Sequence, residues 1–227
     1  MKKSFFAFLR MFIFAALVPV LATGLVACEP ENTSDIEDVT GKPVPKGAVD
    51  LGLSVYWASC NVGADTPEEY GDYFAWGETI TKSDYRSSTS VTHGWSNYKL
   101  ESLGIIDADG NLTAEYDAAT ANWGDSWRMP TLEEFKELRN NCTWEWTTQS
   151  GVYGHKVIGP NGNFIFFPAA GYRSYTSLDG AGSSGRCWSA TVDSHGYAYR
   201  LSFYSYYYGW FYDTRFYGFT VRPVSDK

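Results

Sequence analysis

Histidine is scarce in this chain, and the cysteines are too dispersed to form a metal motif. The 227 residues include only His93, His155 and His195. The four cysteines, at positions 28, 60, 142 and 187, give no CxxC, and no HxxxH is present. That spacing offers no zinc or redox motif. Basic residues are also short, 18 against 26 acidic, and no stretch combines clustered Lys and Arg with aromatics. A chain of this balance is a poor partner for nucleic acid or anionic lipid. No phosphate loop and no nucleophile–base pair can be found. Asp193, Ser194 and His195 are adjacent, and neighbours on one strand or turn cannot form a relay. Asp107 to Asn111 has the look of a calcium loop, but position 118 is Ala where a ligating Glu belongs, so a solvated turn is expected. Glu133, Glu134 and Glu137 belong to a helix exterior. The expectation is a non-enzymatic protein with no cofactor and no metal.

What is present begins with a targeting segment. Lys2, Lys3 and Arg10 precede an apolar run from Met11 to Val26. It ends Leu25-Val26-Ala27-Cys28, which resembles the lipobox of bacterial lipoproteins, where cleavage precedes the cysteine and its thiol takes the lipid. The other reading, a transmembrane anchor, has a run at the short end for spanning. Residues 1–27 are therefore expected to be a signal peptide and Cys28 the lipidation site. Their removal takes away three basic residues and no acidic one, leaving 15 against 26, a net charge of −11. Residues 28–46 are acidic and proline-containing, a flexible tether. Glu29 and Glu31 resemble surface-export signals, so an outer-membrane lipoprotein exposed at the cell surface is expected. Membrane contact is through the lipid only. Of the remaining cysteines, Cys60 and Cys142 sit in segments of core character. Export permits a disulfide between them, or all three thiols stay reduced.

Residues 47–227, enough for one domain with a real core, start with an apolar–polar alternation over Val49 to Val55, the pattern of a half-buried strand continued by Trp57. Residues 63–115 are rich in Gly, Ser, Thr, Asp and Tyr and predict long loops, with a short strand over Tyr73 to Trp76. Two helices are legible. Tyr116 to Trp123 stops at Gly124. Thr131 to Arg139 carries a T-x-x-E capping box and puts Leu132, Phe135 and Leu138 on one face. Short strands follow: Glu145 to Thr147, Tyr153 to Ile158, Asn163 to Phe167, Trp188 to Thr191, Tyr197 to Tyr204 and Phe219 to Val224. Gly180 to Gly185 is expected as a flexible loop. The class is α+β with an antiparallel sheet.

The densest signal lies from Tyr197 to Phe219, where 13 of 23 residues are aromatic and 8 are tyrosine. A core does not need tyrosine at this density, because every buried phenol must find a partner. A recognition surface uses it heavily, as rigid amphipathic contact area. If Leu201 and Phe203 point inward, alternation puts Arg200, Ser202 and Tyr204 on the opposite, open face. Gly209 would turn the chain, flanked by Tyr206 to Tyr208 and Trp210 to Tyr212. The ligand-binding residues expected are Arg200, Ser202, Tyr204, Tyr206, Tyr207, Tyr208, Trp210, Tyr212 and Asp213. The competing reading has these rings pairing across strands to stabilise a hairpin.

Several runs together carry a family resemblance. They are Leu51-Gly52-Leu53-Ser54-Val55-Tyr56-Trp57-Ala58, Gly71-Asp72-Tyr73-Phe74-Ala75-Trp76-Gly77-Glu78, and Ala121-Asn122-Trp123-Gly124-Asp125-Ser126-Trp127-Arg128-Met129-Pro130-Thr131. Pro168-Ala169-Ala170-Gly171-Tyr172-Arg173, Trp188-Ser189-Ala190-Thr191 and Val221-Arg222-Pro223-Val224 complete the set. Residues 47–224 thus resemble the Fibrobacter succinogenes major paralogous domain, common in lipoproteins of gut Bacteroidota. The resemblance implies the formylglycine-generating-enzyme-like branch of the C-type lectin fold. Oxidases of that branch need two late cysteines, and only Cys187 is there. The same fold carries the variable proteins of diversity-generating retroelements, whose Tyr/Ser/Asp/Asn/Gly arrays resemble this tract. The function implied is binding of a glycan or protein ligand by a surface lipoprotein, with the tract possibly diversified. The alternative is a structural or adhesion component of the envelope.

Overall fold

The computed structural model describes residue 41 and residues 43–227. The segment 1–27 expected as a signal peptide, Cys28, and residues 29–40 and 42 of the expected tether lie outside the described residues. Among the described residues the architecture is α+β: three short α-helices and eleven strands in three sheets. No helix among the described residues is long and apolar enough to cross a membrane.

The alternating segment at the start is two strands rather than one. β1 (Ala48–Asp50) and β2 (Val55–Ala58) form an antiparallel hairpin with Val49 opposite Trp57. The chain turns between them because Gly52 adopts φ +76° and its N–H bonds Asp50 Oδ1 at 2.7 Å. Burial still alternates through the turn: Leu51, Leu53, Val55 and Trp57 are buried, Gly52 and Ser54 exposed. The period was right while the backbone path was not.

Residues 63–115 are loops with one helix that sequence did not suggest, α1 (Asn97–Ser102), capped by Ser96 Oγ accepting from Lys99 N. The expected strand at Tyr73 to Trp76 reduces to one bridge, Phe74 to Phe219. Asp107 to Asn111 is a turn in which Asp107 Oδ1 accepts from the backbone of Asp109 and Asn111.

The two expected helices form. In α2 (Ala118–Trp123) the Asp117 carboxylate caps Ala119 N and Thr120 N through Oδ1, and takes Met129 N through Oδ2. In α3 (Leu132–Asn141) the Thr131–Glu134 box is reciprocal, with Thr131 N bonding Glu134 Oε2 at 2.7 Å. Phe135 and Leu138 are its buried residues. The Trp127-Arg128-Met129-Pro130-Thr131 run is therefore scaffold. Trp127 and Met129 are buried, Arg128 pairs with Glu134 and Asp226, and Pro130 O accepts from Ala190 N.

Three strands after α3 make an antiparallel sheet: β3 (Thr143–Gln149), β4 (Val152–Ile158) and β5 (Phe164–Pro168). The central sheet takes β6 (Ala170–Ser174), β7 (Ser177–Ala181), β8 (Ser184–Val192), β9 (Ala198–Tyr204) and β10 (Tyr207–Asp213) in the order β10-β9-β8-β6-β7. The expected loop at Gly180 to Gly185 is thus the tight connection between β7 and β8. One pairing departs from the antiparallel expectation, since β6 runs parallel to β8 and touches it at Gly171 and Gly185. The Gly218–Thr220 segment lies between them, pairing with Arg173 and with Cys187. β11 (Val224–Asp226) then closes on β2.

The central sheet is covered on both faces. Cys187, Leu201 and Phe203 join the cluster of Trp57, Phe135, Leu138, Trp144 and Phe167. Trp188, Ala190 and Ala198, of opposite phase, join Phe74, Trp76, Met129, Phe219 and Val221. Cys142 packs at the edge of the first cluster as a free thiol. Cys60 is buried beside Ala64 in a separate group. The Cys60–Cys142 bridge is therefore not made: Cys142 follows α3, and its packing neighbours are not those of Cys60.

Candidate functional site

The aromatic tract is the β9–β10 hairpin and the segment after it. Its turn is Ser205–Tyr206, not Gly209. Gly209 lies within β10, opposite Ser202. A Cβ there would sit 2.6 Å from the Tyr207 hydroxyl, so the Tyr207 ring would have to swing aside.

Strand register divides the expected residues between two surfaces. Leu201 and Phe203 face the core as expected, fully buried. Tyr208 and Trp210 share their phase and pack toward α3. Tyr208 stacks on Trp144 with centroids 4.7 Å apart, and the Arg139 guanidinium lies 5.0 Å from the Trp210 ring. Tyr212 continues that row but stays 58% exposed. Arg200, Ser202, Tyr204, Tyr207 and Asp213 occupy the other face with Phe211. Tyr206 stands at the turn, 88% exposed.

The second face is not open along its length, which corrects the expectation for two residues. Arg200 is only 9% exposed and Ser202 only 1%. Neither strand is enough to explain this: β8 flanks β9, and the Tyr207 ring folds over Gly209, the residue opposite Ser202. What is accessible is the turn, at Tyr206 and Tyr207, and the far part of the edge strand β10, at Phe211 on this face and Tyr212 on the other.

Sequence reasoning missed Arg186, Tyr172, Phe211 and Tyr217. Arg186 Nη1 and Arg200 Nε both donate to one oxygen, Asp213 Oδ2, at 3.4 and 3.0 Å. The Arg186 guanidinium lies 3.6 Å from the Tyr172 ring centroid. Arg200 lies 5.4 Å from Phe211 and 5.6 Å from Phe219. Tyr217 completes this aromatic bed, edge-on to Tyr172. Burial, with Arg186 beside it, holds the Arg200 guanidinium below its ordinary pKa. Alternation in β8 could have placed Arg186 on the Arg200 face, since Cys187 faces the core.

His155 anchors the turn end of the hairpin. Its Nε2 meets Tyr204 O at 2.8 Å, while the ring packs edge-on against Trp144, Trp146, Phe203 and Tyr208. The bond to a carbonyl makes Nε2 the donor, and Nδ1 is buried with no partner. Protonating Nδ1 would bury an uncompensated charge, so burial pushes the His155 pKa below its ordinary 6.5. The unfolded chain then binds this proton more readily than the folded one. The stabilisation is complete above about 6.5 and is lost as pH falls toward the lower folded value. A urea-denaturation series should show the stability gap between the native chain and His155→Gln narrowing from pH 7.5 to pH 5. A constant gap would refute the assignment.

The Asp193-Ser194-His195 group does not form a relay. Ser194 Oγ and Asp193 Oδ2 both approach the same nitrogen, His195 Nδ1, at 3.0 and 3.6 Å, whereas a triad needs opposite ring nitrogens. Cys187 Sγ meets Thr220 Oγ1 at 3.0 Å, and burial pushes its pKa up to about 11, as it does for Cys142. Neither thiol is activated. Among the described residues no group of His, Cys, Asp and Glu is arranged to hold a metal.

Comparison of the chain with protein-family models, curated proteins and solved structures gives no significant match.

Proposed function

We propose that the protein is a non-catalytic binding lipoprotein of the bacterial envelope, and that the turn and the exposed edge strand of the β9–β10 hairpin grip a glycan. The observation that carries this reading is the exposure of four rings, those of Tyr206, Tyr207, Phe211 and Tyr212, on one rigid hairpin. Exposed rings on a packed support present flat apolar faces at little entropic cost, and sugar faces stack on them. The hairpin's support is extensive: seven cross-strand pairs join β9 to β10, and Trp144, His155 and Arg139 brace its other face. The wider assignment keeps the family and C-type-lectin-like fold that the sequence runs resemble. In it, Cys28 carries the lipid, residues 28–46 form the tether, and the domain is displayed on the outer membrane.

Glycan-array screening with parallel pull-downs tests the reading, using the native chain and a Tyr206→Ala/Phe211→Ala/Tyr212→Ala variant. These rings are exposed, so folding should be little affected. Binding should fall by at least about tenfold, the loss of roughly 1.4 kcal/mol of contact. Unchanged glycan binding in the variant would dismiss the hairpin. A protein captured through the same rings, with no glycan bound, would replace the ligand class.

A further inference from the structure

We infer that the Arg186–Asp213–Arg200 cluster is an oxyanion subsite, so that the ligand gripped by the hairpin is an acidic glycan bearing a carboxylate or sulfate. This rests on the hairpin reading above and specifies its ligand. Two guanidiniums share one carboxylate oxygen, which leaves one positive charge uncompensated within the cluster. Each guanidinium has five N–H donors. The hydrogen bonds from this pair of side chains run to Asp213 alone. Arg200 is nine-tenths buried, and its Nη1 has no partner; nor does Arg186 Nε. Arg222, elsewhere in the chain, by contrast donates from all three of its nitrogens. Unused donors on a buried guanidinium lose their hydration with nothing in return unless an acceptor arrives.

Geometry also favours an oxyanion. Stacking on Tyr172, Phe211 and Phe219 holds both guanidinium planes in place before any ligand binds. Planar forks held in this way match the paired oxygens of a carboxylate or sulfate. The cluster adjoins the exposed rings directly, because Phe211 is both the cross-strand partner of Arg200 and one of the four. A sugar stacked on Phe211 or Tyr207 would hold a substituent within reach of the pair. The chain's overall negative charge does not oppose this. Charges more than about 10 Å away are screened by salt, whereas a largely buried pair is screened much less.

The experiment measures binding of the full chain to three tetrasaccharides by titration calorimetry: tetragalacturonate, its neutral methyl ester, and a sulfated galactan fragment free of uronic acid. At least one acidic probe should bind about tenfold tighter than the ester. The two acidic arms separate a carboxylate source from a sulfate source. Arg186→Gln should abolish the preference. Asp213→Asn, which removes the competing carboxylate and keeps the side-chain volume, should strengthen acid binding. Equal affinity for acid and ester overturns the subsite, as does a preference that survives Arg186→Gln. Where Tyr206→Ala/Phe211→Ala/Tyr212→Ala abolishes binding of ester and acid alike in that case, the hairpin reading stands without the subsite. Failure of all three probes removes both.

Discussion

Replacing Arg222 by methionine is expected to lower folding stability by roughly 3–5 kcal/mol, enough to leave a marginal domain largely unfolded. Arg222 is fully buried, with no carboxylate partner among the described residues. Its charge is instead spread over four acceptors. Nε donates to Asn61 Oδ1 at 2.9 Å, Nη1 to Ala58 O and Ser59 O at 3.2 Å, and Nη2 to Phe166 O at 2.9 Å. The guanidinium also lies 4.5 Å from the Phe167 ring centroid. Burial pushes its pKa down to about 10, so it is still a cation at neutral pH. One side chain therefore links the end of β2, the loop after it and β5 to the closing segment. Methionine fills much of the volume, so the cost is mainly four acceptors left dry. Lysine keeps the charge but has three donors on one atom and cannot span the same fork. Arg222→Lys should lose about half as much stability, and both losses should appear as a fall in urea midpoint at unchanged slope. Midpoints within about 0.5 kcal/mol of the native chain for both variants would show that the network is not holding these elements together.

What sequence made legible was local. The Thr131–Glu134 box spans three positions and the Gly124 stop is a single residue, and both helices form beside those signals, the first starting two residues later than expected because Asp117 caps it. Alternation fixed Leu201 and Phe203 as inward. It could not say whether the other face of β9 would meet water, because that depends on β8, on the closing segment and on the fold of Tyr207 over Gly209. Arg200 and Ser202 were expected in the open for that reason and lie buried. Glycine misled twice. Gly209 suggested a turn and instead makes room for a ring, while Ser205–Tyr206 turns without any residue that advertises it. The Gly180 to Gly185 stretch suggested a loop and is a strand connection. Arg186 and Asp213 are 27 positions apart, and only the pairing of β8 with β9 and β10 brings them together. The resemblance runs turned out to include the scaffold's tightest residues, among them Trp57, Trp76, Trp188 and Arg222.

The second large effect is expected at Trp76. Trp76→Ala should cost roughly 3–5 kcal/mol, in the range for emptying a buried aromatic site. The side chain is fully buried against the Trp188 and Phe219 cluster. Its Nε1 donates to Ser189 O at 2.9 Å, so truncation leaves a buried carbonyl in β8 without that partner. The ring also supports Arg215, whose guanidinium lies 5.1 Å from its centroid. Arg215 is buried and bonds Thr92 O, Trp95 O and Asn97 Oδ1, which pins the loop before α1 onto the segment following β10. Losing the ring removes a cation–π contact from a buried charge, so the damage should spread to residues 92–97. Hydrogen exchange should report it as faster exchange at Trp95, whose N–H bonds Thr92 O. Trp76→Phe keeps a ring under Arg215 and loses only the indole donor, so it should cost about 1–2 kcal/mol and leave that loop protected. If phenylalanine and alanine destabilise equally, the hydrogen bond to Ser189 carries the effect and the ring does not. If the loop keeps its protection in Trp76→Ala, Arg215 holds it without aromatic support, and the coupling between the two tryptophan-bearing segments is absent.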